Sequence, residues 1–429
     1  MLLIYTQKIT PRIIYIFKHI CTHTLGLEIR FTTKIEEFIA HQGMKFSYGK
    51  KRLGNELFIQ NVEVLLEQGL SDVEVKVQPW EETKCFFAVS ENSDLPFDVF
   101  AASFYLLSRY EEYLPHVKDA FGRFPAGESL AFQEDFLTSP VVDIWAYKFK
   151  QLLIYKFTDI EFTPREFQKI SVISVSQVFS FKNKGMLRSV AGLFIDLFHL
   201  RISRVTDRIK VLLRLKKDPY NIFDDLILFI KKYKANMVFM FQLSDFNIYD
   251  RNINHNRLNY RSIIKYVADY SKVGLRLGFF AVKEMEALKI EKKRFESIIH
   301  GPLQSVINSK YNLMLPEHYS YLNELEIPND YSMGYPEHIG FRAGTGTSYF
   351  FYDINMEITT PLTIHPYVFN SQVCHATAYQ TVKTEITTVL SQLKSIDGTF
   401  RGIFRNRDFS EYEDRDFYYA LLNQIHEVQ

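Results

Sequence analysis

The chain has 429 residues, 47% hydrophobic and 24% charged, with a formal net charge of +1. That is too long for one ordinary core, too apolar for a disordered chain and too near neutrality for a long-range pull on nucleic acid. Cys21, Cys85 and Cys374 are far apart and lack Cys-x-x-Cys spacing, which excludes a disulfide framework and a zinc ribbon and predicts reduced thiols. Aromatic residues reach 15%, with 38 Phe and 26 Tyr, which fits thick aromatic packing better than sugar-stacking surfaces.

The opening MLLIYTQKITPRIIYIFKHI is apolar but interrupted by Lys8, Pro11, Arg12 and Lys18. It lacks the unbroken apolar run of a signal peptide, and no segment approaches the roughly 18 apolar residues of a transmembrane helix. A cytoplasmic location is therefore expected. LLIYT (2–6) reads as a strand. A helix starts at Pro11, with Ile13, Ile16, Phe17 and Ile20 at helical spacing. LEIRFTT (27–33) alternates as a strand does. Helices are predicted over 97–114 and 139–157, around a Gly- and Pro-punctuated loop at 119–131. This part closes near residue 165.

From residue 170 the pattern changes. Strands are predicted at 170–176, 273–280 and 399–404, and helices at 262–272, 283–301 and 385–398. Strand–helix alternation over about 250 residues argues for a barrel or a parallel sheet. The run LRISRVTDRIKVLLRLKK (200–217) has seven basic residues against Asp207. It has two readings: a basic amphipathic helix lying on an anionic membrane, or a solvated outer helix, which is the ordinary one. GTGTS (344–348) resembles a phosphate cradle only superficially. No GxxxxGK[ST], no GxGxxG after a strand and no GxSxG is present.

YSMGYPEHIGFRAGT (331–345) reads as the rim of a binding site. Tyr331, Tyr335, Arg342, Gly344 and Thr345 are its candidate substrate contacts. Each has a bland counterpart: tyrosines that pack, and an Arg342 that pairs with a buried acid.

The opening segment, the helix FAASFYLLSRYEEYLPHVKDAFGRFP and PVVDIWAYKFK resemble the N-terminal domain of a bacterial family best known from Bacteroidetes. In that family the domain precedes a polysaccharide deacetylase-like (NodB-like) barrel. DYSMGY, GFRAGT and PLTIHP follow in the family's order. The resemblance implies an α/β fold, a distorted (β/α) barrel of the polysaccharide deacetylase type at 166–429, preceded by a smaller α+β N-terminal domain at 1–165. It implies metal-assisted hydrolysis of an acetyl group on a sugar, with a divalent metal such as zinc, a carboxylate base and a histidine acid.

This chain departs from that pattern at the chemistry. Ser174 and Ser176 take the two carboxylate places of the first barrel strand, and Arg276 takes that of a metal-binding histidine. Ile307 and Ser309 take those of an arginine and a histidine, and Arg405 and Arg407 those of a histidine and a glutamate. Serine is a weak metal ligand, and arginine neither ligates a cation nor shuttles a proton. No metal cofactor and no catalytic residue are expected. The chain reads as a catalytically inactive deacetylase relative that binds an anionic glycan intermediate, or a partner, in surface-polysaccharide metabolism. The alternative is an active deacetylase with a rearranged centre drawn from Glu337, His338, Asp353 and His365. A third reading is a structural partner acting through 1–165.

Overall fold

The computed structural model describes residues 1–158 and 160–427. They form a mixed α/β protein of two compact units. Met1–Gln168, Asn312–Phe369 and Thr384–Phe400 make up the first; Lys169–Tyr311, Asn370–Lys383 and Arg401–Gln429 make up the second. The first change of unit falls at 168/169. The chain then re-enters the first unit twice.

In chain order the first stretch holds β1 (Leu2–Thr6), α1 (Pro11–Phe17), a wider-wound π turn (Lys18–Thr24), β2 (Ile29–Thr32), α2 (Ile35–Ala40), β3 (Lys45–Gly49) and β4 (Leu57–Gln60). A hairpin of β5 (Gln78–Trp80) and β6 (Thr83–Cys85) follows, then α3 (Val99–Leu107), α4 (Tyr110–Tyr113), α5 (Leu130–Gln133) and α6 (Val141–Lys156). β1 to β4 form a parallel sheet in the order β2-β1-β3-β4. A parallel strand covered on both faces must be apolar throughout, and all five residues of LLIYT are buried. Thr10 caps α1 by accepting from Ile13 N at 3.1 Å, with Pro11 in the first turn where its missing N–H costs nothing.

The aromatic excess goes into packing here. Phe17 stacks on Phe100 with centroids 3.7 Å apart, and Phe46, Tyr48 and Phe149 close around the pair. Burying each such ring contributes about 1.5–3 kcal/mol, with about 0.5–1.5 more per well-placed pair.

The second unit begins with β7 (Gln168–Val175), α7 (Met186–Phe198), α8 (Ile202–Leu212), α9 (Phe223–Tyr233), β8 (Asn236–Gln242), α10 (Leu258–Ala268), β9 (Lys272–Leu277), α11 (Met285–Ile299) and β10 (Ser305–Asn308). β7, β8, β9 and β10 pair in parallel. After α12 (Glu317–Glu324), β11 (Asn329–Asp330), β12 (Tyr349–Asp353), β13 (Ile358–Ile364), β14 (Phe369–Asn370) and α13 (Tyr379–Ser395), the chain ends with β15 (Thr399–Arg405) and α14 (Arg415–His426). β15 lies beside β7. In the first unit β13 pairs parallel with β11 and antiparallel with β12. The strand–helix alternation read from the sequence is thus a parallel-rich sheet.

One predicted helix is cut. The periodicity at 97–114 gives a single helix, but Arg109 stands at φ 57° between α3 and α4. The break turns the Arg109 guanidinium toward Glu111 and Glu112, a tertiary demand that helical periodicity does not carry.

Candidate functional site

Parallel strands put their C-terminal ends on one edge, the usual place for ligands in such sheets. β8 shows how the sequence marks that edge. In NMVFMFQ six residues are buried, and the apolar run turns polar at Gln242 and Ser244. Register sets Gln242 opposite Arg276 of β9, whose neighbour Leu277 lies opposite Asn308 of β10.

Arg276 Nε donates to Ser174 Oγ at 3.1 Å, and its Nη1 donates to Gln242 Oε1. Gln242 Nε2 in turn donates to Ser244 Oγ at 2.8 Å. Beneath them the Gln242 carbonyl accepts from Tyr260 Oη at 2.5 Å and from Asn252 Nδ2. The direct partners of the Arg276 guanidinium are neutral, and among the described residues no carboxylate pairs with it. Burial lowers its pKa, partly offset by Tyr311, Asp250 and Glu291 nearby. An arginine keeps its proton under such a load, so a cation stands at the sheet edge with neutral direct partners and Asp250 as a charge nearby, not in contact, among the described residues.

Two buried carboxyls flank it. Gly278 N donates to Glu291 Oε2 at 3.0 Å, and Phe279 N donates to Asp250 Oδ2 at 2.7 Å. A Cβ on residue 278 would lie 2.5 Å from Glu291 Oε1 and 3.1 Å from Asp250 Oδ2, so glycine is required for the approach. Burial first, and the Asp250 charge after it, push the Glu291 carboxyl up to about 8. Glu291 is therefore protonated at neutral pH.

The sequence-predicted positions divide between the units. Ser174, 3% exposed, belongs to the Arg276 network, and Ser176 is half-buried just past β7. Ser309 is buried in the turn after β10 and its Oγ has no hydrogen-bond partner among the described residues. Lys310 and Tyr311 follow at φ 54° and 52°. Two successive left-handed residues other than glycine cost about 1–3 kcal/mol each. The Tyr311 phenol lies in electrostatic range of both Arg276 and Arg405. Arg405 ends β15, but its charge is matched, because its Nε donates to Asp408 Oδ1 at 2.8 Å. Arg407 is exposed, 3.9 Å from Glu413. Ile307 is wholly buried inside β10.

The donor set does not fit a divalent metal. Hydroxyls and guanidinium groups occupy the positions, and among the described residues no three His, Cys, Asp or Glu side chains converge as a ligand group. Gln242, Asp250, Glu291 and Tyr311 were missed in the sequence. The polar FQLSD ending an apolar strand is the signal that marks the first of them.

Tyr331 to Thr345 lies in the first unit. Arg342, 2% exposed, binds Glu112 through both carboxylate oxygens, Nε to Oε1 at 2.9 Å and Nη2 to Oε2 at 2.7 Å. Arg109 Nε shares Glu112 Oε1 at 2.7 Å. Burial alone would raise the Glu112 carboxyl, but Arg342 and Arg109 hold it down to about 2. The Arg342 guanidinium lies 5.1 Å from the Tyr335 ring centre. Of its two readings, pairing with a buried acid is the one the geometry matches. Tyr331 stacks on His365 at 4.5 Å. Gly344, at φ 66°, leaves no room for a Cβ beside Leu106. Thr345 Oγ1 donates to Asp143 Oδ2 at 2.8 Å, as does Gly346 N. The GTGTS loop thus clamps the start of α6. The side chains of Tyr331, Tyr335, Arg342 and Thr345 are all buried, and each is engaged inside this unit.

The four residues of the rearranged centre also lie in the first unit. His365 has both ring nitrogens hydrogen-bonded, to Ser348 and Asn329, each at 2.8 Å. His338 faces Phe132, and exposed Glu337 meets Arg123 at 3.3 Å. Asp353 accepts from Asn355 N and Met356 N.

A model of a family of unknown function, DUF7033, matches residues 2–158. No curated protein matches the chain. Among solved structures, it is similar to one named as a polysaccharide deacetylase from Mycobacterium smegmatis, at 8% identity and TM-score 0.39, covering 61% of this chain and 85% of that one. A 4-alpha-glucanotransferase from Thermococcus litoralis is similar at 11% identity and TM-score 0.35, over 62% of this chain. This chain spans 37% of that protein's length. A GH57-type branching enzyme from Pyrococcus horikoshii is similar at 10% identity and TM-score 0.31, over 61% and 66% of the two chains. Among the described residues no helix is long and apolar enough to cross a membrane.

Proposed function

We propose that this chain is a non-catalytic glycan-binding protein of deacetylase-like build, whose second unit holds the anionic group of a sugar at Arg276. In this reading the parallel-rich sheet is a distorted (β/α) barrel, and the strand ends that carry ligands in active relatives carry a guanidinium instead. The observation that supports it is Arg276 itself: a charged guanidinium at the C-terminal edge of the sheet, oriented by Ser174 and Gln242 and in direct contact with no carboxylate among the described residues. A carboxylate or phosphate on a sugar supplies the missing counter-charge through charge-assisted bonds. The neighbouring Glu291, neutral near pH 7, adds a donor without adding repulsion.

Calorimetric titration with glucuronate, glucose 1-phosphate and glucose tests this. The two anions are expected to bind saturably and more weakly as salt screens the charge, glucose not to bind, and Arg276→Gln to abolish binding. Equal binding of glucose, or unchanged binding by Arg276→Gln, overturns it. Catalytic inactivity is tested separately. After incubation with zinc and dialysis, elemental mass spectrometry is expected to find no tightly held metal, and N-acetylglucosamine oligomers to release no acetate. One zinc per chain with acetate release overturns that part.

A further inference from the structure

The surface of α7 and α8 is inverted. Met186, Leu187, Phe194 and Phe198 are 83%, 87%, 66% and 86% exposed. At about 100° per residue, these four fall with Val190 and Leu197 within about 120° around the axis of α7. Away from this stripe a single residue of the helix, Asp196, is turned inward. Asp196 is buried there and accepts from Arg208 Nη2 of α8 at 2.5 Å. Gly192 admits the same guanidinium, which would lie 2.7 Å from a Cβ at that position. A surface helix of a globular protein ordinarily buries its apolar stripe and wets its charges. Here a buried ion pair joins the helices and the apolar stripe faces out.

The second helix extends the stripe. Ile202, Ile209 and Leu213 are 56%, 46% and 64% exposed, and Leu200 in the connecting turn is 81% exposed. Large apolar side chains exposed in this number on two adjoining helices mark an interaction surface. Its charge selects the occupant. Residues 186–217 carry eight Lys or Arg against two Asp. Both Asp are already matched, Asp196 by Arg208 and Asp207 by Lys216. Exposed Arg201, Lys210 and Arg214 make no ion pair among the described residues. Two copies meeting through this face would bring like charges together. A bilayer with anionic headgroups satisfies both features, taking the phenylalanines into its acyl boundary and the cations at its headgroups. With 13 and 11 residues the helices suit the plane of the interface, being too short to span it.

We propose that the α7–α8 hairpin docks this protein on an anionic membrane surface. The proposal does not depend on the sugar-binding reading. It is tested by flotation of the full chain with vesicles of phosphatidylcholine alone and of phosphatidylcholine mixed with phosphatidylglycerol. Binding is expected only to the anionic vesicles and is expected to fall with salt. The double variant Phe194→Glu, Phe198→Glu should lose at least about tenfold in partitioning. The triple variant Arg201→Ser, Lys210→Ser, Arg214→Ser should lose about 100-fold, at roughly 1 kcal/mol per cation. All five side chains are exposed, so circular dichroism and the unfolding midpoint should stay unchanged. Absence of binding to anionic vesicles overturns the proposal, as does salt-insensitive binding to neutral ones. A dimer in solution that Phe194→Glu dissociates also overturns it, because a second copy then covers the face.

Discussion

Arg342 in the first unit was read as a substrate contact and Arg276 in the second as standing in a metal ligand's place, and their surroundings have little in common. Arg342 is forked onto Glu112, which Arg109 also grips, so each charge has a partner. Arg276 is held by a serine and a glutamine, and no carboxylate among the described residues contacts it directly. Removing one member of a satisfied buried network orphans the others, whereas removing an unmatched charge relieves desolvation. The difference separates an arginine whose charge is matched inside its unit from one whose direct partners are neutral.

The contrast breaks most visibly at Glu112. Glu112→Ala leaves two buried guanidiniums short of a carboxylate and should cost about 3–5 kcal/mol, read by urea unfolding. A loss below about 1 kcal/mol would remove the structural role assigned to Arg342.

Next comes pH. Glu112 lies at about 2 folded against 4.5 ordinarily, so its contribution is present above 4.5 and is lost as pH falls toward 2. Glu291 has the opposite sign. Raised to about 8, it binds a proton in the folded chain that the unfolded chain has released, so stability declines as pH rises from 4.5 to 8. Glu291→Gln removes that decline. The variant should exceed the parent by on the order of a few kcal/mol at pH 9, at about 1.4 kcal/mol for each tenfold difference in proton affinity between the folded and unfolded chains, and match it near pH 5. Parallel stability curves for the two proteins between pH 5 and 9 would show that Glu291 is not buried neutral.

Arg276→Gln should change stability by no more than about 1 kcal/mol while abolishing anion binding, the reverse of Glu112→Ala. Substantial unfolding of this variant would place Arg276 with Arg342 as a structural residue. The smallest effect is expected at Glu337, an exposed partner of Arg123, where Glu337→Ala should shift stability by at most about 0.5 kcal/mol.

Local order was legible where local rules decide it. The Pro11 start of α1 follows from capping chemistry, whereas α11, read to Gly301, ends at Ile299 because His300 takes the left-handed conformation. The serines and arginines at the strand ends of the second unit were visible as residue types. Their partners were not. Gln242 lies 34 residues from Arg276 and meets it only through parallel register. The basic run at 200–217 was visible too, but its periodicity fits an apolar face turned either way. The Asp196–Arg208 pair turns it outward.

The order of residues was enough to mark strands at 2–6, 170–176 and 399–404 and the start of α1 at Pro11, because these depend on residue type and on neighbours a few positions away. Which arginine is neutralised was left to the fold. Glu112 and Arg342 stand 230 positions apart, and a charge is matched by whatever folding brings within about 3 Å of it.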